Sequence, residues 1–228
     1  MQVTSEDQAR IAQAIAAAEG STSGEIFCVV SRRVSSYLDV SLGWAAAAAL
    51  ILPMGLIPLG FDPAWFPGVG DPWEAAHLSS RGVTIGQALG VYAVVQAATF
   101  VAVFLLTRLP LVRRWVTPRS VRRARVRRAA VQQFLAHGVH VTQDRTGVLI
   151  FAALDDHQVE LVADESIHSR VDRTVWAEAV AALVREMKAD RPVAGFEAAI
   201  ALCGAVLAEH FPPRPDNPNE LPDHLVLL

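Results

Sequence analysis

Cysteine is nearly absent: the 228-residue chain has only Cys28 and Cys203. One falls in an expected strand and the other in an expected helix, which excludes a disulfide framework and leaves two buried packing residues suited to a reducing compartment. No Cys-x-x-Cys, Gly-x-Ser-x-Gly or Walker-type glycine loop occurs, so redox, hydrolase-elbow and P-loop chemistry have no motif to rest on. The N-terminus begins Met-Gln-Val-Thr-Ser-Glu-Asp-Gln, with neither the basic stretch nor the apolar core of a secretory signal. It is expected to stay inside the cell.

Charge is missing from two long stretches. Val40 to Phe61 has no charged residue for 22 positions, and Gly82 to Thr107 has none for 26. At 1.5 Å per residue a helix of either length can cross a hydrocarbon layer of roughly 30 Å. Burying both in a soluble core would need more surrounding protein than this chain has. Pro53 and Pro58 imply that the first span is kinked or short. Between the runs lies Asp62 to Arg81, rich in Pro and Gly, where Trp65, Phe66 and Trp73 suit the headgroup region. Hydrophobic residues make up 52% of the chain and its mean hydropathy is +0.32, which agrees with a membrane element.

Acid is missing from a third stretch. The formal net charge of −3 conceals nine arginines between Arg108 and Arg128 with no Asp or Glu among them. Such a flank, by the positive-inside rule, places the end of the second span in the cytoplasm, and two crossings return the N-terminus to the same side. The expected location is therefore the inner (plasma) membrane, multi-pass, with both termini cytoplasmic. Aromatic residues are scarce around the arginines and a span adjoins them, so anionic lipid rather than nucleic acid is the expected partner, through Arg113, Arg114, Arg119, Arg122 and Arg123.

The remaining sequence reads as one α/β domain. Capping-box spacings from Thr4 to Asp7 and from Ser5 to Gln8 open a helix ending near Glu19, and Gly20 stops it. Strands are expected at Glu25–Ser31, Gly147–Ala153 and Gln158–Ala163, the last two forming a hairpin about Asp155-Asp156-His157. Helices are expected at Val121–Leu135, with Val121, Ala124, Val131, Phe134 and Leu135 inward, at Thr174–Lys188 and at Val193–Glu209. Residues 1–39 and 108–211 thus form the domain, 40–107 a transmembrane hairpin inserted in it, and 212–228 a Pro-rich tail laid across it.

Thr22-Ser23-Gly24-Glu25-Ile26 before the first strand, then Asp144-Arg145-Thr146-Gly147-Val148-Leu149-Ile150-Phe151 before Val159-Glu160-Leu161-Val162-Ala163-Asp164, resembles the TPM domain family, and Asn219-Glu220-Leu221-Pro222-Asp223 resembles its membrane-embedded bacterial branch. The resemblance implies a three-layer α/β fold with a mixed β-sheet. It also implies a choice among acid phosphatase, calcium binder and assembly factor for membrane complexes. The family's acidic motif reads Asp-Asn-Gly; here it is one residue longer and carries Arg145.

Asp144, Asp164, Glu165 and Glu25 sit at strand ends, where carboxylates from separate segments can converge on a hard cation such as Ca²⁺. In a phosphatase they would hold a metal that polarises a phosphoryl oxygen, with Arg145 neutralising developing charge. Their turn and capping positions account for them equally well. His137 and His140 read as turn residues, since Gly138 separates them and no third ligand is near. With no catalytic constellation evident, the expectation is a non-enzymatic binding or assembly module meeting a membrane-protein partner; the alternative is a calcium-dependent, acid-phosphatase-like enzyme.

Overall fold

The computed structural model describes residues 4–56, 58–60 and 85–228, which divide into two compact units, Met1–Ser36 with Arg119–Leu228, and Tyr37–Pro118. Trp65, Phe66 and Trp73, with the adjoining ends of both apolar runs, lie outside the described residues.

The first unit opens with α1 (Ser5–Glu19), whose Thr4 and Asp7 form the reciprocal capping box. β1 (Glu25–Ser31), β2 (Gly147–Ala153) and β3 (Gln158–Ala163) have the expected bounds. A fourth strand, β4 (Leu225–Leu227), completes a sheet of order β3-β2-β1-β4. β1 runs parallel to β2 and β4, whereas β2 and β3 are antiparallel, so the sheet is mixed. β4 was not legible, because three apolar residues after a Pro-rich stretch carry no period.

Successive side chains of a strand point to opposite faces, and both faces here are covered. Ile26, Cys28, Val30, Val148 and Ile150 pack under α1, α7 (Ala177–Lys188) and α8 (Pro192–His210). Phe27, Val29, Leu149 and Phe151 pack under α5 (Arg119–Ala136). The result is three layers, helices on each side of a sheet buried on both faces, as a parallel core requires. The short α6 (Glu165–His168) follows β3.

One expected face is corrected. α5 buries Val126, Ala130 and Phe134, spaced four apart, while Ala124 and Leu135 are exposed. Arginines on most sides of this helix leave its apolar stripe weak, so contact with the sheet selects which residues turn inward.

The second unit contains α2 (Leu38–Leu56), α3 (Ile85–Arg108) and α4 (Pro110–Val116). α2 and α3 pack on each other, and α2 buries Ser41, Ala45, Ala49 and Pro53. Its large residues face outward: Leu50, Ile51 and Met54 are all more than half exposed. α2, α3 and α8 are each long and apolar enough to cross a membrane.

Candidate functional site

The sheet topology gathers chemistry at one end. Because β3 is antiparallel to β2, its C-terminal end lies beside the N-terminal ends of β1 and β2. Glu25, the Asp144–Gly147 turn, Asp164 and Glu165 therefore share that end. The Glu25 N–H donates to Thr146 O at 3.2 Å, and the Asp164 N–H to Gly147 O at 3.0 Å. Gly147 is required here by close approach: a Cβ would lie 2.1 Å from Val139 O.

The four expected ligands are near one another in topology but engaged separately. Asp144 pairs with Arg214 at 3.1 Å. Glu165, almost fully exposed, pairs with Arg145 at 3.6 Å. Asp164 caps α6, its Oδ1 accepting from Glu165 N–H at 2.6 Å, while its buried Oδ2 has no partner. Glu25 Oε2 accepts from Leu221 N–H at 3.1 Å. Among the described residues no group of three or more His, Cys, Asp or Glu side chains is arranged to hold a metal ion. The turn before β2 is closed by Thr142, not Asp144: Thr142 O accepts from Arg145 N–H, and its hydroxyl from Thr146 N–H. Arg145 there adopts φ 53°, the left-handed region costly for a residue with a Cβ.

What closes this end is the C-terminal segment. Phe211 O accepts from the Thr22 hydroxyl and the Ser23 N–H, and Asn217 donates to Thr22 O. Arg214 reaches both Asp144 and Glu220, and Glu220 accepts from Gln143 N–H at 2.8 Å. Asn219 donates to Asp223 at 2.7 Å. From Asp223 the chain runs into β4. The residues after Phe211 are thus a strap that ends as part of the sheet.

Under this strap sits a carboxyl that sequence reading missed. Glu19, the last residue of α1, is buried, and its Oε1 accepts from Ile26 N–H at 2.7 Å. Burial raises its pKa to about 8, against the opposing hydrogen bond from Ile26, and the neighbouring charges of Glu25 and Asp223 add to the rise. Glu25 is raised as well, by burial first, with the Leu221 and Glu220 N–H groups opposing. At neutral pH Glu19 therefore holds a proton in the folded chain. One sequence signal pointed to it: a glutamate in a helix's last turn opposes the macrodipole, so a tertiary contact has to offset that cost.

The arginine region has two parts. In the second unit, α4 carries Arg113 half-buried and Arg114 exposed, beside Leu111 and Trp115, which are 82% and 91% exposed. In the first, α5 carries Arg119 and Arg123 exposed and Arg122 half-buried, with Arg127 bonded to Glu160. Trp115 had not been singled out from sequence; an exposed Trp flanked by arginines suits a water–hydrocarbon boundary. His137 and His140 lie against Phe27 and Phe134 respectively, with ring centroids 4.8 Å and 6.1 Å apart.

Fold and surface together define a class: an α/β domain whose chain also carries helices apolar enough for a bilayer. Among solved structures the chain is similar to the NMR structure of the BA42 protein from the psychrophilic bacterium Bizionia argentinensis, with a TM-score of 0.57 and 18% identity. The similarity covers 100% of this chain and 97% of that one. At such identity it shows the fold alone, a TPM-domain-like one. No protein-family model matches the chain, and no curated protein matches it.

Proposed function

We propose that this chain is a membrane-anchored binding or assembly module of the TPM-like kind, with α2 and α3 spanning the bilayer as a hairpin and the α/β domain working at the cytoplasmic face. The observation that carries the reading is α3: its mean hydropathy is 2.2, yet only 6% of it is buried. A helix with that surface is stable where the surrounding medium is apolar. The arginines that follow favour a cytoplasmic flank and contact with anionic lipid through Arg113, Arg114, Arg119, Arg122 and Arg123. A binding role is favoured over catalysis because the fold itself employs the acids at the sheet end, in a cap, two ion pairs and a strap contact.

Topology is the first test. Native Cys28 and Cys203 are buried, so a cysteine introduced by Asp71→Cys or Asp216→Cys can be labelled selectively with a membrane-impermeant maleimide on intact spheroplasts. The proposal expects labelling at 71 without permeabilisation and at 216 only after it. Equal labelling at both sites in intact cells would overturn the placement.

A calcium-dependent phosphatase is the second reading, favoured by the unpartnered Asp164 Oδ2 at the sheet end. Calorimetric titration of the solubilised protein with Ca²⁺, beside Asp164→Asn and Asp144→Asn, decides it. Saturable binding lost in both variants would support it; no binding would remove it.

A further inference from the structure

β3 is the outer strand of the sheet and, at six residues, twice the length of β4 at the other edge. In an antiparallel pair, alternate residues direct their backbone groups to the partner strand and the rest direct them away. Asp164 N–H bonds to Gly147 O, and the register pairs Val162 with Leu149 and Glu160 with Phe151. The N–H and C=O of Val159 and Leu161 therefore point outward, and among the described residues none of these groups has a partner beyond the ladder.

This edge is the floor of an open cleft of about 310 Å³. One wall is α5, with Arg123 and Arg127; the other is Trp176, Ala177 and Val180, at and just within the start of α7. Trp176 is 5% exposed, and its indole N–H has no hydrogen-bond partner. His168 of α6 completes the rim. Glu160 is the cleft's one acid and is already bound to Arg127, while Arg123 has no ion pair among the described residues. The cleft thus combines an unsatisfied strand edge with a surplus of positive charge.

We propose that this cleft captures an extended, acidic peptide segment of a partner protein, which adds to β3 as a fifth strand. This deepens the binding-module reading by locating the partner site. Val159 and Leu161 would supply main-chain hydrogen bonds to the peptide, and Arg123 would bind one of its carboxylates. A lipid headgroup would use the arginine but leave the strand edge unpaired, so a peptide satisfies more of what the cleft presents; Arg123 then serves the peptide, and the lipid contact rests on Arg113, Arg114, Arg119 and Arg122. The edge is about 20 Å long at ~3.3 Å per residue, enough for five or six peptide residues.

The test is selection from a displayed library of random ten-residue peptides on the full chain in lipid nanodiscs, followed by affinity measurement with the synthesised winners. Two variants discriminate. Val159→Pro removes an outward N–H without touching the β2–β3 ladder, and Arg123→Glu reverses the charge of an exposed side chain. The proposal expects enriched peptides rich in Asp or Glu, at least tenfold weaker on each variant, and a lysine-substituted winner that regains affinity on Arg123→Glu. It is overturned if no peptide is enriched, or if the winners bind both variants as tightly as the parent. Phosphatidylserine vesicles that lose affinity on Arg123→Glu while no peptide is enriched would assign the cleft to lipid instead. A failed selection with the labelling pattern intact overturns the cleft alone; a failed labelling pattern leaves peptide capture measurable.

Discussion

α2 and α8 have the same length, 19 residues, and the same mean hydropathy of 1.5, yet they bury themselves in opposite ways. α8 turns Phe196, Ile200, Cys203 and Leu207 inward, and 44% of it is buried. α2 turns Ser41, Ala45, Ala49 and Pro53 inward, leaves its large residues outside, and is 22% buried. In water large side chains leave the solvent because burying them is worth about 1.5–3 kcal/mol each. In lipid that drive vanishes, and small residues at intervals of four let helix backbones approach. Hydropathy alone does not separate the two helices; which side chains face inward does, and the pattern of α2 is the one the proposed membrane hairpin calls for.

Truncation sharpens this contrast most. Phe196→Ala should destabilise the first unit by about 3–5 kcal/mol, since it opens a cavity in a core where Phe196 is 1% exposed. Ile51→Ala on α2, removing a side chain that is 68% exposed, should leave the same denaturation midpoint unmoved. Equal losses in denaturant unfolding of the solubilised chain would break the comparison.

A buried carboxyl gives the next largest effect, and only the first unit has one described. Glu19 ionises near 4.5 when unfolded and near 8 when folded. Between those values folding takes up a proton, so stability falls as pH rises, on the order of 1 kcal/mol per pH unit, and below 4.5 the penalty is gone. Glu19→Gln keeps an acceptor for Ile26 N–H but cannot ionise. It should come close to the parent near pH 5 and exceed it by roughly 2–3 kcal/mol at pH 7. Parallel Tm curves for the two proteins from pH 5 to 8 would show that Glu19 is not the titrating group.

Glycine makes the smallest and most local contrast. A Cβ on Gly204 of α8 would lie 2.7 Å from Ala18 Cβ, whereas one on Gly90 of α3 would meet nothing within 4 Å. Gly204→Ala should therefore cost about 1–3 kcal/mol by overpacking, while Gly90→Ala should gain up to ~1 kcal/mol of helix propensity. Thermal melts of both variants in one detergent measure the difference.

Strands β1 to β3 and the capping box of α1 were legible because their signals are local: β-branched runs bounded by turn residues, and side chains three positions apart. The inward face of α5 was legible only in part, in Phe134 and Val131, since its arginines blur the helical period and only the sheet chooses Val126 and Ala130. At the candidate site the end of the sheet was legible, through Glu25, Asp144 and Asp164 at strand boundaries. Their partners were not: Arg214 and Leu221 lie some seventy or more residues away along the chain. Glu19 escaped as well, because Asp223, which acts on it, comes from a strap at the far C-terminus.

By itself the sequence determined the element types, the two uncharged runs and the arginine flank. Each follows from the chemistry of neighbouring residues, and periodicity and charge density act over one or two turns of chain. Tertiary structure alone decided that α8 belongs to the domain core despite its membrane-like composition, that the last residues close the sheet as β4, and that β3 is left with a free edge beside Arg123 and Trp176. Those outcomes depend on which distant segments pack together, and burial free energy is settled by that packing.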